Sequence, residues 1–296
     1  MNLRNKVKNI HANLSKINMK VLTIISPKIA SKHLYKKNFK RKLDLKNPKT
    51  FNEKIMWLKL NTYNNNPIIT QCVDKYRVRE YIENKGYKNI LNDLIGVYDN
   101  ANQIIWKDLP EKFVLKCNFG CGYNIICKNK KDIDEGTTKK ILNKWMKENY
   151  TLKYAEVQYK DVKKKIICEK FLEDDIIDYK FFCFNGIPQF LYVSSGLGEK
   201  NENCHKMCYY DCNWNKLNIA RAGYQLPDKD FDKPKMFDEM MKISKDLSKD
   251  FPFVRVDLFN INDKIYFSEL TFIPTGGVMK ITPEEKDLEW GNLLKI

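Results

Sequence analysis

Apolar residues stand at Leu3, Val7, Ile10, Leu14, Ile17, Val21 and Ile24, in alternating steps of four and three. That spacing keeps one stripe of a helix apolar, so the chain is predicted to open with an amphipathic helix that stops at Pro27. Arg4, Lys6, Lys8, Lys16 and Lys20 take its other faces. A second helical pattern covers 47–60, a turn followed by a helix in which Thr50 and Glu53 have the spacing of a capping box. Asn64, Asn65, Asn66 and Pro67 read as a break. A third helix is expected over 74–85, ending at Gly86.

Further along, the period changes to two. Strands are predicted at 113–118 and 123–127 around a Gly120-Cys121-Gly122 turn, then at 166–172, 178–184 and 189–194. The last two are joined by Asn185-Gly186, a strong short hairpin signal. Helices over 131–149 and 234–249 lie between the strands, and a closing strand pair at 254–259 and 266–271 precedes a terminal helix. Hairpins interleaved with single helices specify an α+β fold with antiparallel sheets, not a doubly wound parallel sheet.

With 296 residues, 43% of them hydrophobic, the chain can bury a sizeable core as one large domain or two smaller ones. Its longest uncharged apolar stretches, such as 21–26, are far short of the ~20 residues that cross a bilayer. Pro27 and Lys28 also cut the basic start below the apolar core of an export signal. Nine irregularly spaced cysteines do not make a disulfide framework, so a reducing cytoplasm is expected. Charge is uneven: residues 1–60 carry sixteen Lys and Arg against Asp44 and Glu53, +14 of the chain's +16. A basic arm on a near-neutral body points to an anionic surface met by the arm, and no nucleic-acid partner is expected. Its helix lies on anionic lipid, or docks on its own domain, or docks on a partner; the pattern leaves all three open.

Two stretches can carry chemistry. In the first, Lys116 lies in an apolar strand ahead of the Gly120-Cys121-Gly122 turn. Backbone N–H groups of such a turn can fold over phosphates while the lysine supplies a point charge, although an ordinary hairpin with a solvated lysine has the same text. The second stretch is the closing pair. Arg255 and Asp257 share one strand face opposite Val254, Val256 and Leu258, and Glu269 and Thr271 share a face of the return strand. Two carboxylates and a hydroxyl are hard oxygen ligands of the kind Mg²⁺ takes together with nucleotide phosphates. Register is the condition. Asp257 opposes Glu269 only if paired positions sum to 526, which asks for an odd loop such as Asn262-Asp263-Lys264. A two-residue Asn262-Asp263 turn gives a sum of 525 and puts the carboxylates on opposite faces. An exposed, salt-bridged strand pair is the plain alternative.

The text of these strands, continuing to Gly277, resembles the metal-binding strands that close D-alanine-D-alanine ligases and other ATP-grasp ligases. The run from Lys46 through Asp74-Lys75-Tyr76 to the C-terminus is similar to the teichuronopeptide-biosynthesis (TupA-like) branch of bacterial surface-polysaccharide proteins. The resemblance implies an ATP-grasp fold in which two α+β subdomains sandwich ATP. A basic helical arm would occupy 1–70 and the grasp domain 71–296, its parts being 71–168 and 169–296. By the same resemblance Lys116 holds the ATP phosphates, and Gly120, Cys121 and Gly122 close over them. Glu169, Lys170, Phe171 and Leu172 form a hinge whose backbone meets adenine, with Lys180 near phosphates or substrate. Asp257 and Glu269 bind Mg²⁺, joined by Thr271 where the wider family usually has Asn. Arg255 stabilises the reacting oxygens, and Thr275, Gly276 and Gly277 approach the acceptor. The implied activity is that of a carboxylate-amine ligase: a small or glycan-linked carboxylate attacks the γ-phosphate of ATP, and an amine then displaces phosphate to leave an amide. Its expected setting is capsular or other surface-polysaccharide biosynthesis in the cytoplasm, with the arm at the inner face of the membrane.

Two other functions compete. A glycosyltransferase of the same pathway would need an Asp-x-Asp-like motif on a parallel sheet, for which Asp174-Asp175 is the candidate text. A non-catalytic protein could grip a polyanion with its arm and keep a decayed nucleotide site. Cys204, Cys208 and Cys212 with His205 lack the Cys-x-x-Cys knuckles of structural zinc, and no metal is expected there. The acidic group Glu173, Asp174, Asp175 and Asp178 reads as a solvated loop and strand start.

Overall fold

The computed structural model describes residues 16–196 and 205–296. Helix α1 covers the described residues 16–25, and α2 (Pro27–Phe39) follows at once. The described part of the apolar stripe of α1 faces outward, so of the three expected dockings the one on its own domain does not use Ile17, Val21 and Ile24. Ile17 is 58% exposed and Ile24 72%, while Met19 and Thr23 are buried and Met19 packs with Ala30, Leu34 and Tyr35 of α2. Thr23 can be buried because its hydroxyl donates to Met19 O at 2.7 Å within the helix. Leu3, Val7, Ile10 and Leu14 lie outside the described residues.

Helix α3 (Phe51–Leu60) has the predicted capping box, with Glu53 N donating to Thr50 Oγ1 and Thr50 N to Glu53 Oε2. Its Phe51, Ile55 and Leu58 enter the main core. The expected break at Asn66-Pro67 starts a further helix, α4 (Pro67–Val73): Asn66 caps it, and proline at a first helical turn loses no hydrogen bond. Helix α5 (Val78–Asn84) begins four residues later than predicted, because the Asp74 carboxylate is spent on the N–H groups of Tyr76 and Arg77 and on Asn118.

Two antiparallel sheets make the body. Strands β1 (Leu94–Tyr98), β2 (Phe113–Cys117), β3 (Asn124–Cys127) and, after helices α6 (Glu135–Lys147) and α7 (Thr151–Tyr154), β4 (Ile166–Lys170) form a sheet in the order β1-β4-β2-β3. Its own core includes Phe113, Leu115 and Cys168, with Leu142 of α6. Next come β5 (Asp178–Phe184), β6 (Ile187–Ser195), β7 (Lys206–Asp211), β8 (Lys216–Leu217) and β9 (Ala220–Arg221). After α8 (Phe237–Ser248), the closing hairpin β10 (Phe253–Ile261) and β11 (Lys264–Thr271) completes a six-stranded sheet, β11-β10-β5-β6-β7-β8. Strand β12 (Ile281–Thr282) pairs with β9, and α9 (Glu285–Leu293) ends the chain.

The large sheet is buried on both faces. Phe181 of β5 meets Phe237 of α8, while Phe182 meets Phe51 of α3 and Trp290 of α9. Alternation then places Phe184, Phe182, Lys180 and Asp178 in a row on the α3 side. On β10 the neighbours of that row are Phe253, Arg255 and Asp257, opposite Phe184, Phe182 and Lys180. One sheet face therefore runs from packed aromatics into a cluster of charge.

The hairpin turn is the two-residue Asn262-Asp263, both at positive φ, and Ile261 pairs with Lys264, a sum of 525. The odd loop expected from register is not there. A bulge inserts Ser268 into β11, so that Leu258 opposes Phe267 but Asp257 opposes Glu269, restoring 526 for the rest of the ladder. The carboxylates meet through a bulge, not through the turn.

Candidate functional site

Two cavities adjoin this hairpin. The first, about 360 Å³, is lined by Lys116, the Gly120–Gly122 loop, residues 169–172 at the end of β4, Asp178 and Phe267. The second, about 630 Å³, is lined by Tyr150, Tyr154, Glu156, Tyr192, Arg221, Arg255 and Thr271, among others. Lys75, Gly120, Cys121, Lys180, Ser268 and Glu269 line both.

The glycine loop is fixed from α4's C-terminus. Asn118 donates to Asp74 Oδ1 at 2.8 Å, Lys75 N donates to Asn118 O at 2.8 Å, and Lys75 Nζ donates to Gly120 O at 2.5 Å. Gly120 sits at φ 68°, where an added Cβ would lie 2.4 Å from the Tyr150 ring, so its position admits no side chain. Lys116, expected at the phosphates, lies in the first cavity with Nζ donating to Glu169 Oε2 at 2.6 Å. Glu169, Lys170, Phe171 and Leu172 line the same cavity, with the Glu169 side chain largely buried.

At the hairpin the predicted residues converge. Arg255 donates to Asp257 from Nε at 2.7 Å and from Nη2 at 2.6 Å, and the same Nη2 reaches Glu269 Oε1 at 3.3 Å and Thr271 Oγ1 at 3.0 Å. Thr271 donates to Glu269 Oε1 at 2.9 Å. Lys180 Nζ donates to Asp257 Oδ2 at 2.8 Å and lies 3.0 Å from Asp178 Oδ1. Burial alone would lower the Lys180 pKa, but the Asp178 and Asp257 charges more than reverse this. Burial likewise works against the Glu269 carboxylate, yet Lys75, Arg255 and Lys180 hold it down at about 2. Glu269 is ionised at any working pH, and its side chain, 37% exposed, opens on both cavities.

Whether this set suits Mg²⁺ turns on its donors. Among the described residues no three His, Cys, Asp or Glu side chains make an ion site. Two carboxylates on one register pair are nonetheless what Mg²⁺ uses when nucleotide phosphates complete its shell. Glu269 suits that role directly; Asp257 would exchange Lys180 or Arg255 for the ion. Thr271, expected as a third ligand, has its hydroxyl engaged by Arg255 and Glu269 and serves as a link between them.

Of the expected acceptor residues, Thr275 and Gly276 line the second cavity, and Thr275 Oγ1 accepts from Arg221 Nη2 at 2.9 Å. Gly277 does not: an added Cβ would meet Met56 Sδ at 3.0 Å, so it packs against α3. Asp178 is not solvated as expected but is 8% exposed beside Lys180, while Glu173, Asp174 and Asp175 are exposed. Sequence reasoning gave no site role to Lys75, Glu156, Tyr192 or Arg221. Asp74-Lys75-Tyr76 was available as a signal for the first; the others stand in unremarkable text.

No curated protein matches the chain. Among solved structures, D-alanine-D-alanine ligase from Bacillus anthracis is 14% identical over 68% of this chain and 57% of its own, with a TM-score of 0.42. L-amino acid ligase from Bacillus licheniformis is 14% identical over 77% and 50%, TM-score 0.43. N5-carboxyaminoimidazole synthetase from Staphylococcus aureus, complexed with ADP, is 13% identical over 73% and 50%, TM-score 0.38. The chain thus spans about half the length of these structures. A family model described as TupA-like ATPgrasp matches residues 53–295, from the capped helix to the terminal one, and the chain belongs to the TupA-like ATP-grasp family.

Proposed function

We propose that the protein is an ATP-dependent carboxylate-amine ligase, with ATP in the first cavity and the carboxylate and amine in the second. The observation that carries this reading is that Glu269 and Lys180 line both cavities, Glu269 bonded to Arg255 and Thr271 of the second and Lys180 bonded to buried Asp257 behind them. A γ-phosphate held from the first cavity and a carboxylate held in the second can meet only there. Lys116 and Lys75 are assigned to the phosphates, residues 169–172 to adenine, and Arg255 and Lys180 to the oxygens between which the phosphoryl group passes. Asp257 and Glu269 would hold Mg²⁺, which supplies charge neutralisation on the phosphates when bound. The carboxylate oxygen bonds to the γ-phosphorus as ADP leaves; the amine nitrogen then bonds to the acyl carbon as phosphate leaves. The protein contributes position and charge without a nucleophile of its own. Glu269→Gln should lower carboxylate-dependent ADP release at least about 10²-fold; near-normal release would remove the proposed centre.

We assign the pathway to surface-polysaccharide decoration in the cytoplasm, on family membership. The exposed stripe of α1 supports a peripheral membrane contact: Ile17, Val21, Ile24 and Ile25 face outward beside exposed Lys16, Lys20 and Lys28, in a 60-residue segment of charge +14. Anionic phosphatidylglycerol vesicles should sediment the protein and neutral phosphatidylcholine vesicles should not. An I17E/I24E variant that still bound the anionic vesicles would rule the contact out. Among the described residues no helix is long and apolar enough to cross a membrane.

A further inference from the structure

The second cavity is lined by charge of both signs: Lys75, Lys153, Lys180, Arg221 and Arg255, with Glu269 and Glu156, the last set near Tyr150, Tyr154 and Tyr159. The Glu156 corner has a defined build. Helix α7 stops at Ala155, which is fully buried at φ 54°, and Glu156 N closes back on Thr151 O at 3.1 Å. Fully buried Lys59 of α3 pins both sides, donating to Tyr154 O and to Gly276 O, each at 3.2 Å.

Glu156 is 6% exposed, yet the one hydrogen bond to its carboxylate among the described residues is a long one, 3.3 Å from Gln158 Nε2, and no ion pair reaches it. Lys59 is close enough to act on it electrostatically but directs its own N–H bonds at carbonyls. The second Glu156 oxygen has no partner among the described residues and is open to the cavity, so whatever enters there, water or a ligand, completes it. The surrounding rings specify what kind. Tyrosine faces and a carboxylate together suit an ammonium group, and Lys153 Nζ already lies 5.3 Å from the Tyr150 ring centre and 5.9 Å from that of Tyr154.

We infer that Glu156, with Tyr150 and Tyr154, receives the amine substrate as its ammonium ion and takes the proton that must leave before the nitrogen can attack. This rests on the ligase reading above. An ammonium has no lone pair. Transfer of one proton to the Glu156 carboxylate frees the pair that forms the C–N bond; the C–O bond to phosphate breaks, and the nitrogen's second proton leaves with the phosphate. The carboxylate substrate is assigned to Arg221, whose side chain has no carboxylate partner among the described residues and bonds only Thr275 and Tyr192.

Burial raises the proton affinity of Glu156, the Lys59 and Lys153 charges oppose that, and Glu269 adds to it. Tyr150, Tyr154, Tyr159 and Cys121 also stand near and are neutral at working pH, each being pushed up by burial. A carboxylate so placed accepts a proton more readily than one in water.

Hydroxylamine separates the two halves of the reaction, because it is unprotonated near neutral pH and captures an acyl phosphate without a base. Purified protein with Mg-ATP and a panel of uronic acids and amino acids is assayed for hydroxamate with hydroxylamine and for amide with ammonia, methylamine or glycine. In Glu156→Gln, amide formation should fall about 10²-fold and recover as pH rises, while hydroxamate formation falls far less. Glu156→Asp, which keeps the buried charge beside Lys59, should melt like the parent and show the same split more weakly. Equal loss of both products in both variants, or no loss of amide, would overturn the assignment. Absence of any carboxylate-dependent hydroxamate from the parent protein would instead overturn the ligase reading itself.

Discussion

The two cavities share a wall but are built differently, and the first could be read from the sequence more fully than the second, of which Arg255, Thr271, Thr275 and Gly276 were expected. The first is made from short continuous texts: Lys116 with the glycine loop, residues 169–172, and the hairpin acids. Each text sits on a strand or runs directly out of one, and the strand's period of two fixes which residues share a face. The second gathers Tyr150 to Glu156, Tyr192, Arg221 and Thr275 from separate segments, and no spacing announces that they meet. Phosphate recognition leaves local marks because it uses loops and backbone groups; recognition of a particular substrate uses side chains from wherever the fold brings them.

The sharpest test of how the shared wall is made is the bulge. Inserting one alanine between Ser268 and Glu269 moves Glu269 opposite Val256, turns Glu269 and Thr271 away from Asp257, and should abolish ADP release, a loss of at least about 10³-fold, whereas deleting Ser268 leaves Glu269 opposite Asp257. Ser268→Ala, which keeps the extra residue, should retain most activity. If the insertion variant stayed active with an unchanged melting temperature, the carboxylates would not need to meet across this register.

Next in size is a test that the cavities hold different substrates. Lys75→Ala removes a charge near Glu269 and the anchor of the glycine loop, and should raise the KM for ATP about 10-fold or more. Arg221→Ala should raise the KM for the carboxylate by a similar factor and leave that for ATP unchanged. Equal shifts of both constants in both variants would erase the distinction between the cavities.

A smaller effect concerns stability. Lys180 is 7% exposed and bonded to fully buried Asp257, so Lys180→Met leaves that carboxylate with Arg255 alone. Urea unfolding should show a loss of about 3 kcal/mol. A neutral result would mean that Arg255 satisfies Asp257 by itself.

The faces of β10 and the capping box of α3 were legible because local chemistry decides them. Register was not, since a bulge leaves no mark in the text beyond one serine. Asn66-Pro67 is ambiguous in principle: the same pair ends one helix and begins another. The α1 stripe shows a further limit. Its period gave the helix but not the side that packs, because Met19 and an internally bonded Thr23 suffice for docking and leave the isoleucines outside. The acidic cluster misled for a related reason: Asp178 has the same composition as its exposed neighbours, and only its pairing with Lys180 inside the strand buries it.

On the ligase reading the shared wall carries a phosphoryl group from ATP to a carboxylate. The most direct test is ADP release by the purified protein with Mg-ATP, over a panel of uronic acids and amino acids with and without amines. ADP formation should require a carboxylate, as the ligase reading demands, and be lost in Glu269→Gln. ADP formation at the same rate with no carboxylate present would contradict it.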